Sequence, residues 1–264
     1  MEEMGFSCAK ENYLDTIPMK DSLLHKEHFS DTHPIHAIVI NLEHRTDRLK
    51  SMESQLTKLN IPFSVFSAYY GSKLMDGTQA LHPLSTFDRI HGNKKDMNLG
   101  ALGCWQSHVG VLLDLSTKHD WSKYPLVVED DVRFESDTVE RIQESLSILP
   151  DDWELFYIGY CYNNRCPKEE KICKIKNALC THGIMYRSKA VVDRVLKEIN
   201  QTEANYIDWQ LSWIMESGLG KGYLFNPYQL VQQNRNDFGS DIPTSGLVHD
   251  SPMIQPVERS EERV

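Results

Sequence analysis

The sequence predicts a single α/β domain, because two strongly apolar runs each end in polar turns. Residues 35–42 and 126–128 are almost continuously apolar, which is typical of strands covered on both faces of a parallel sheet. Between them, Leu49, Met52, Leu56 and Leu59 recur at helical spacing, and a second strand follows from Phe63 to Ala68. The chain therefore begins with a β–α–β unit, the usual start of a doubly wound sheet.

Composition limits the partners of this chain of 264 residues. Its net charge of -10 argues against nucleic acid and against an anionic membrane. No apolar run approaches the roughly 18 residues that a transmembrane segment needs, and the first residues lack the basic-then-apolar order of a signal peptide. We therefore expect a cytoplasmic protein with no transmembrane segment. Its predicted parts are an N-terminal extension (1–34), one domain (35–245) and a C-terminal tail (246–264).

Four of the six cysteines crowd one segment, which is Lys-rich and predicts an insertion that ends near Asn177. They are Cys161, Cys166, Cys173 and Cys180, and no two of them form a CxxC pair. A zinc site is a weak alternative, and disulfides would need an oxidising compartment. We therefore expect free thiols.

The remaining elements follow from periodicity and helix-start signals. Asp137 and Glu140 have the spacing of a capping box, and Ser188 precedes another helix. Polar, turn-rich residues from Tyr70 to Met97 predict a loop over the site. The elements predicted beyond that loop are helices at 99–117, 137–149, 189–199 and 206–215, and strands at 155–160, 178–186 and 224–233.

Glu129, Asp130 and Asp131 follow the second apolar run directly. Adjacent carboxylates repel one another and resist burial unless a positive charge lies among them. Magnesium and manganese prefer oxygen ligands and often bridge carboxylates to substrate phosphates. The stretch predicts a metal–diphosphate site at the carboxyl end of a strand, and the alternative is an acidic surface turn.

Arg45, Asp47 and Arg48 stand where the first helix begins. A helix N-terminus favours anions, and two guanidinium groups would add forked donors to a phosphate. The alternative is a solvated helix face on which Asp47 is the cap.

Three further positions are candidates for ligand binding or catalysis. Ser107 and His108 would point a hydroxyl and an imidazole at a ligand, or serve a structural role in their helix. Asp208 has apolar and aromatic neighbours, which raise a carboxyl pKa and suit a general base, although it could also cap a helix. His249 is a lone histidine of the tail that could reach a metal.

Six motifs, in this order, resemble those of glycosyltransferase family 25, the group of bacterial lipooligosaccharide galactosyltransferases and collagen hydroxylysine galactosyltransferases. A single motif would be weak, but six in sequence are specific. They are INLEHRTDR (40–48), LGALGCWQSH (99–108), VVEDDV (127–132), THGIMYRSKA (181–190), IDWQL (207–211) and PYQLVQQNRNDFGSDI (227–242).

The resemblance implies a GT-A fold, a Rossmann-like mixed sheet flanked by helices, that binds a UDP-sugar with manganese or magnesium. It also implies inversion at the anomeric carbon, with Asp208 as the candidate catalytic base. Glu129, Asp130 and Asp131 would be the metal-binding, DxD-like group. Donor binding is assigned to Asn41, Arg45, Asp47, Arg48, Ser107, His108 and Gln233.

We therefore predict a metal-dependent transferase that moves a hexose, galactose before glucose, from a UDP-sugar to a hydroxyl. The acceptor would be a glycan, a lipooligosaccharide or a collagen-like hydroxylysine, in a bacterial or viral cytoplasm. Two alternatives are a catalytically silent glycan- or nucleotide-binding module and a metal-dependent hydrolase or nucleotidyltransferase.

Overall fold

The computed structural model describes residues 25–28, 33–75, 77–79, 99–163, 166–167, 169–201, 206–226 and 229–233. Most of the loop predicted between Tyr70 and Met97 lies outside this set, as do His249 and the tail at 246–264. The described part of that loop begins with a short helix.

The described residues form six helices and twelve strands. The helices are α1 (Thr46–Lys58), α2 (Gly71–Met75), α3 (Leu99–Lys118), α4 (Thr138–Ile148), α5 (Lys189–Gln201) and α6 (Ile207–Glu216). The strands are β1 (His25–His28), β2 (Ile35–Asn41), β3 (Phe63–Ser67), β4 (Tyr124–Glu129), β5 (Val132–Phe134), β6 (Leu155–Gly159), β7 (Tyr162–Asn163), β8 (Ile172–Ile175), β9 (Ala178–Leu179), β10 (Gly183–Tyr186), β11 (Gly222–Phe225) and β12 (Val231–Gln233).

Within the described residues, eight strands form one mixed sheet in the order β1-β3-β2-β4-β10-β6-β11-β8. β2 runs parallel to both β3 and β4, which confirms the predicted β–α–β start. β10 runs antiparallel to β4 and β6, so the sheet is mixed. β1 lies within the segment predicted as an extension and pairs with β3 at the sheet edge.

Helices cover both faces of this sheet, which confirms the predicted α/β class. Because side chains alternate along a strand, Ile38 and Ile40 of β2 pack in one core with α3, α5 and α6. Ala37 and Val39 pack in the other core with α1 and α4. Within the described residues, no helix is long and apolar enough to cross a membrane.

Two predicted strands are each divided in the structure. The strand predicted at 178–186 is wrong in its middle, because Cys180 has a left-handed backbone (φ 66°) that ends β9 before β10 begins. The strand predicted at 224–233 becomes β11 in the main sheet and β12, which pairs with β5. Periodicity identifies the apolar residues here but not these breaks.

The expectation of free thiols is wrong for the crowded cysteines. Cys161 is bonded to Cys180, and Cys166 is bonded to Cys173. Pairing of β7 with β9 brings the first two together, and pairing of β8 with β11 places Cys173 in the main sheet. The predicted insertion therefore supplies an edge strand. The cytoplasmic location stays a prediction.

The predicted helix starts have different outcomes. Asp137 is the N-cap of α4, but its side chain makes no capping bond and pairs with Arg141 at 2.6 Å, so the capping box is wrong. Ser188 caps α5 as expected, since its hydroxyl oxygen accepts the Val191 amide at 3.4 Å.

Candidate active site

The carboxyl ends of β2 and β4 lie at one edge of the sheet, because Ile40 pairs with Glu129 in a parallel register. Asn41 ends β2, and Asp130 follows β4. The Asn41 side-chain amide donates to Asp130 Oδ2 at 2.7 Å, and Arg48 Nη1 donates to Asp130 Oδ1 at 2.9 Å. We call Asn41, Arg48 and Asp130 the charge-paired cluster.

The charge-paired cluster is almost fully removed from solvent. Arg48 is 4% exposed and Asp130 is 6% exposed. Burial raises the pKa of the Asp130 carboxyl, and the charge and hydrogen bonds of Arg48 and Asn41 oppose that effect. Buried carboxylates need a positive charge nearby, and Arg48 supplies it for Asp130.

Arg45 and Asp47 form a separate, more exposed pair at the start of α1. Two guanidinium nitrogens of Arg45 donate to the Asp47 carboxylate at 3.1 and 3.0 Å. These hydrogen bonds lower the pKa of Asp47 to about 2. Arg45 rather than Asp47 is the N-cap residue of α1, so the alternative of an Asp47 cap is wrong.

Glu129 is the centre of a second group of contacts. Thr181 Oγ1 donates to Glu129 Oε1 at 2.8 Å, and His108 Nε2 of α3 lies 3.4 Å from the same oxygen. Burial would raise the pKa of Glu129, but the hydrogen bond and charge of His108 hold it below the usual range. The Cys104 thiol, one helical turn before His108, also contacts Thr181, and burial raises its pKa.

Asp208 lies in the first turn of α6, and its carboxylate accepts hydrogen bonds from backbone amides. Its Oδ2 accepts the Cys180 amide at 3.0 Å, and its Oδ1 accepts the Trp209 amide at 2.9 Å. Burial raises the pKa of Asp208, the two amides lower it, and the negative charge of Glu129 raises it further. We call Cys180, Thr181 and Asp208 the disulfide-braced cluster.

Comparison with known proteins decides the family. The sequence pattern described as Glycosyltransferase family 25 (LPS biosynthesis protein) matches residues 35–212, more than half of the chain. The chain belongs to this family. The match includes both clusters, from Asn41 in β2 to Asp208 in α6.

Several relatives are similar to this chain over part of their length. Procollagen galactosyltransferase 1-B of Xenopus laevis is 31% identical over 144 residues, 52% of this chain and 23% of that protein. Procollagen galactosyltransferase 2 of Homo sapiens is 30% identical over 127 residues, 45% of this chain and 20% of that protein. The chain thus spans less than a quarter of the length of these relatives.

A solved structure is also similar. It is described as the crystal structure of a glycosyltransferase involved in the glycosylation of the major capsid of PBCV-1. The TM-score is 0.45 at 11% identity, and the match covers 76% of this chain and 94% of that one.

The other predicted site residues occupy different surroundings. Ser107 is 1% exposed, and its hydroxyl joins α3 to the segment after β3 by donating to the Gly103 carbonyl and accepting the Tyr69 amide. Gln233 ends β12 and pairs with Val132, two residues beyond Asp130. Asp131 is 8% exposed in the turn between β4 and β5. The donor-binding roles of these residues stay predictions.

Two kinds of metal ligand occur at this edge of the sheet. Glu129 and Asp131 offer carboxylate oxygens, which suit magnesium or manganese, whereas Arg48 already neutralises Asp130. Ligand atoms of Cys104, His108 and Glu129 lie within 4.8 Å of one another and form a candidate group of softer character. By ligand type, the carboxylates of Glu129 and Asp131 suit a hard divalent cation, and the metal-binding role of the acidic stretch stays a prediction.

Sequence reasoning missed two residues of the disulfide-braced cluster. Periodicity predicts a continuous strand through Cys180 and Thr181 and assigns neither residue to the site. The signal that could have found them is the crowding of cysteines before the THG motif, because a disulfide there interrupts the strand that the motif would otherwise continue.

Proposed function

We propose that this chain is a glycosyltransferase that moves a hexose, galactose before glucose, from a UDP-sugar to a hydroxyl acceptor with inversion. Membership of family 25 and similarity to procollagen galactosyltransferases support the transferase activity and the choice of sugar. The proposal applies to this chain, which corresponds to only part of those relatives.

The main support is the position of Asp208 within the region that matches the family. This carboxylate is held by backbone amides and lies in electrostatic range of Glu129 at the carboxyl edge of the sheet. Ligands of open α/β sheets bind at that edge. A base beside a candidate cation and diphosphate site is what an inverting transfer requires.

Asp208 would take the proton from the acceptor hydroxyl. Its raised pKa makes it a stronger base than an exposed aspartate, and general base catalysis contributes about 10²–10⁴ in rate. The amides of Cys180 and Trp209 fix its two oxygens, so the carboxylate keeps one orientation as the proton arrives. His108 and Thr181 orient Glu129 in the same way.

Glu129 and Asp131 would hold the divalent cation. When it is bound, the cation supplies charge stabilisation for the departing diphosphate. Arg45 lies at the helix start, where a phosphate oxygen would also meet the first backbone amides of α1.

Three classes of acceptor are candidates, namely a glycan, a lipooligosaccharide and a collagen-like hydroxylysine. Similarity to the procollagen enzymes favours the hydroxylysine. If Asp208 is the base, the acceptor would approach it beside Trp209, whose side chain is 57% exposed.

The experiment is a measurement of UDP release from a panel of UDP-sugars, with manganese, magnesium or EDTA, first without acceptor and then with each acceptor class. We expect cation-dependent release from one sugar and faster release with one acceptor. Asp131→Ala should abolish the cation-dependent release while the fold is retained, and Asp151→Ala, in the turn before β6, is the matched control.

A silent binding module is the second candidate. It is favoured by the pairing of Arg48 with Asp130, which engages one proposed phosphate donor and one proposed metal ligand with each other. A similar relative of Bos taurus is described as a probable inactive glycosyltransferase 25 family member 3, 28% identical over 160 residues. Absence of release from every sugar, together with a thermal shift on adding UDP and manganese, would select this candidate.

A further inference from the structure

The segment between β9 and β10 is unusual because successive residues contact different parts of the site. The Cys180 amide donates to Asp208, and the Thr181 hydroxyl donates to Glu129. His182 follows, 1% exposed, with Nε2 3.2 Å from Gln229 Oε1. Any shift of this segment would move both the candidate base and the candidate metal ligand.

The backbone at Cys180 is in a conformation that cysteine rarely adopts. Its φ is 66°, in the left-handed region that favours glycine. Residues held in such a conformation persist only when their surroundings fix them, and they concentrate at functional sites. The strained residue here is also the one whose amide reaches Asp208.

A disulfide and a short ladder fix this backbone. Cys161 precedes β7 and Cys180 follows β9, so the bond between them closes the end of the β7–β9 pair. The Cys161 amide also donates to the Leu179 carbonyl at 2.8 Å. The disulfide therefore joins the strained residue to the strand on its other side.

α6 is attached to the same ladder at two points, one helical turn apart. Ser212 donates to the Ala178 carbonyl at 3.0 Å and accepts the Ala178 amide at 3.3 Å. Asp208 accepts the Cys180 amide. Because residues four apart lie on one face of a helix, the backbone at 178–180 sets the position of the whole first turn of α6.

We propose that the Cys161–Cys180 disulfide is a positioning element of the active site, which holds Asp208 and Thr181 in place for the transfer. The inference rests on the proposed function. It adds that the base is held in place by a disulfide that takes no part in the chemistry, and that opening this bond alone lowers turnover.

Opening the bond requires a reductant. A dithiol supplies two electrons and two protons, the S–S bond breaks to give two thiols, and the dithiol becomes a disulfide. Cys161 is exposed, so a small dithiol can reach its sulfur. The Cys180 backbone is then free to leave the left-handed region.

The second disulfide is a matched control within the same segment. Cys166 and Cys173 are close in sequence, and Cys173 lies in β8, where its sulfur contacts Glu170. Its contacts are with the outer edge of the sheet, where β8 pairs with β11. Its loss should affect stability without moving Asp208.

The first test compares Cys161→Ser/Cys180→Ser with Cys166→Ser/Cys173→Ser. For the former we expect kcat for the UDP-sugar to fall about tenfold or more with little change in KM, because a transition-state interaction is misplaced. The latter should stay within about twofold of the unchanged protein. Equal losses in both variants would overturn the proposal and indicate a general loss of structure.

The pH dependence of kcat is a second test, because a disulfide that only stabilised the fold would not change it. Losing the Cys180 amide removes a bond that lowers the pKa of Asp208, so the acid limb of kcat should move to higher pH. The ionisable groups that face Asp208 are Glu129 of β4, Cys104 of α3 and Tyr157 of β6. An unshifted limb would contradict the role assigned to this amide.

Two measurements separate this inference from the proposed function. Amide hydrogen exchange reports positions 180–182 and 207–209 without turnover, and exchange there should quicken about tenfold in the site variant and not in the control. Treating the Cys166→Ser/Cys173→Ser protein with a dithiol should have the same effect, reversed by reoxidation. Unchanged exchange would overturn the positioning role, whereas an absence of turnover in the unchanged protein would overturn only the transferase.

Discussion

The two clusters at the carboxyl edge of the sheet hold their buried aspartates by different means. In the charge-paired cluster, Asp130 meets the Arg48 guanidinium and the Asn41 amide. In the disulfide-braced cluster, Asp208 meets two backbone amides, and the nearby carboxylate of Glu129 adds repulsion. Both aspartates have a raised pKa, and burial is the main cause in each.

This difference fits the separate roles that we propose for the two acids, a structural role for Asp130 and a catalytic role for Asp208. A carboxylate paired with a buried guanidinium is committed to that partner, because removing either one leaves an uncompensated charge. A carboxylate held by amides has no charged partner that protonation would leave uncompensated, although the two amides favour its ionised form. The proposed role of Asp208 as a base requires it to exchange a proton, while Asp130 joins the end of β4 to α1.

The largest expected effect is the loss of turnover when Asp208 of the disulfide-braced cluster is replaced. Asp208→Asn keeps the shape of the side chain and an oxygen that can accept the Cys180 amide, but it removes the base. We expect kcat for transfer to fall by about 10²–10⁴ with the folded structure retained, measured by product formation and circular dichroism.

Asp193→Asn is the control for this substitution, because Asp193 pairs with Lys189 on an exposed face of α5. Its transfer rate should not change. A rate for Asp208→Asn equal to that of the control would show that Asp208 is not the base.

The second effect is a loss of stability when the charge-paired cluster is broken. Arg48→Met leaves the Asp130 carboxylate buried without its guanidinium, and we expect the free energy of unfolding to fall by about 3–5 kcal/mol in urea titrations. Arg48→Met/Asp130→Asn removes both charges and should be less destabilised than the single variant. A double variant less stable than Arg48→Met would show that the buried, uncompensated charge of Asp130 is not what destabilises the single variant.

A third prediction compares two buried threonines. Thr181→Val removes a hydroxyl that donates to the Glu129 carboxylate, and the lost stability should be about 1.5–3 kcal/mol, the range for a bond to a charged group. Turnover should fall as well, because Glu129 loses a contact that orients it.

Thr138→Val is the matched variant. The Thr138 hydroxyl donates to the Glu135 carbonyl, a neutral acceptor, so the cost should be about 0.5–1.5 kcal/mol with turnover unchanged. Reduced turnover in Thr138→Val would mean that the assay reports stability rather than the site.

The weakest effect is the pH dependence that Asp208 contributes to stability. Since its folded pKa lies above the ordinary 3.8, the folded protein holds a proton that the unfolded chain has released. This stabilisation is fully present below the unfolded pKa and is lost as the pH rises through the folded pKa. Each tenfold difference between the acid dissociation constants of the two states corresponds to about 1.4 kcal/mol.

Turnover should rise across the same pH window, because the base must be ionised. Urea titrations and kcat at several pH values would measure the two opposite trends, and Asp208→Asn should remove the Asp208 part of the stability slope. Parallel trends in stability and turnover would contradict the assignment.

Local sequence patterns are enough to specify the first half of the fold. Continuous apolar runs predict buried parallel strands, and the helical spacing between them predicts a crossover, so the predictions of β2, α1, β3 and β4 are confirmed. Each of these features depends on residues that are close together in the chain. The same reasoning places Glu129 and Asp130 at the carboxyl edge.

The pairing of the candidate residues, in contrast, depends on contacts between distant parts of the chain. The sequence predicts that Arg48 binds phosphate, yet it lies against Asp130, 82 residues away. The partners of the four crowded cysteines depend on β7 meeting β9 and β8 meeting β11, contacts that spacing does not encode. The break at Cys180, which brings an amide to Asp208, follows from that long-range closure. The crowding of cysteines marks the segment, but it does not give their pairing.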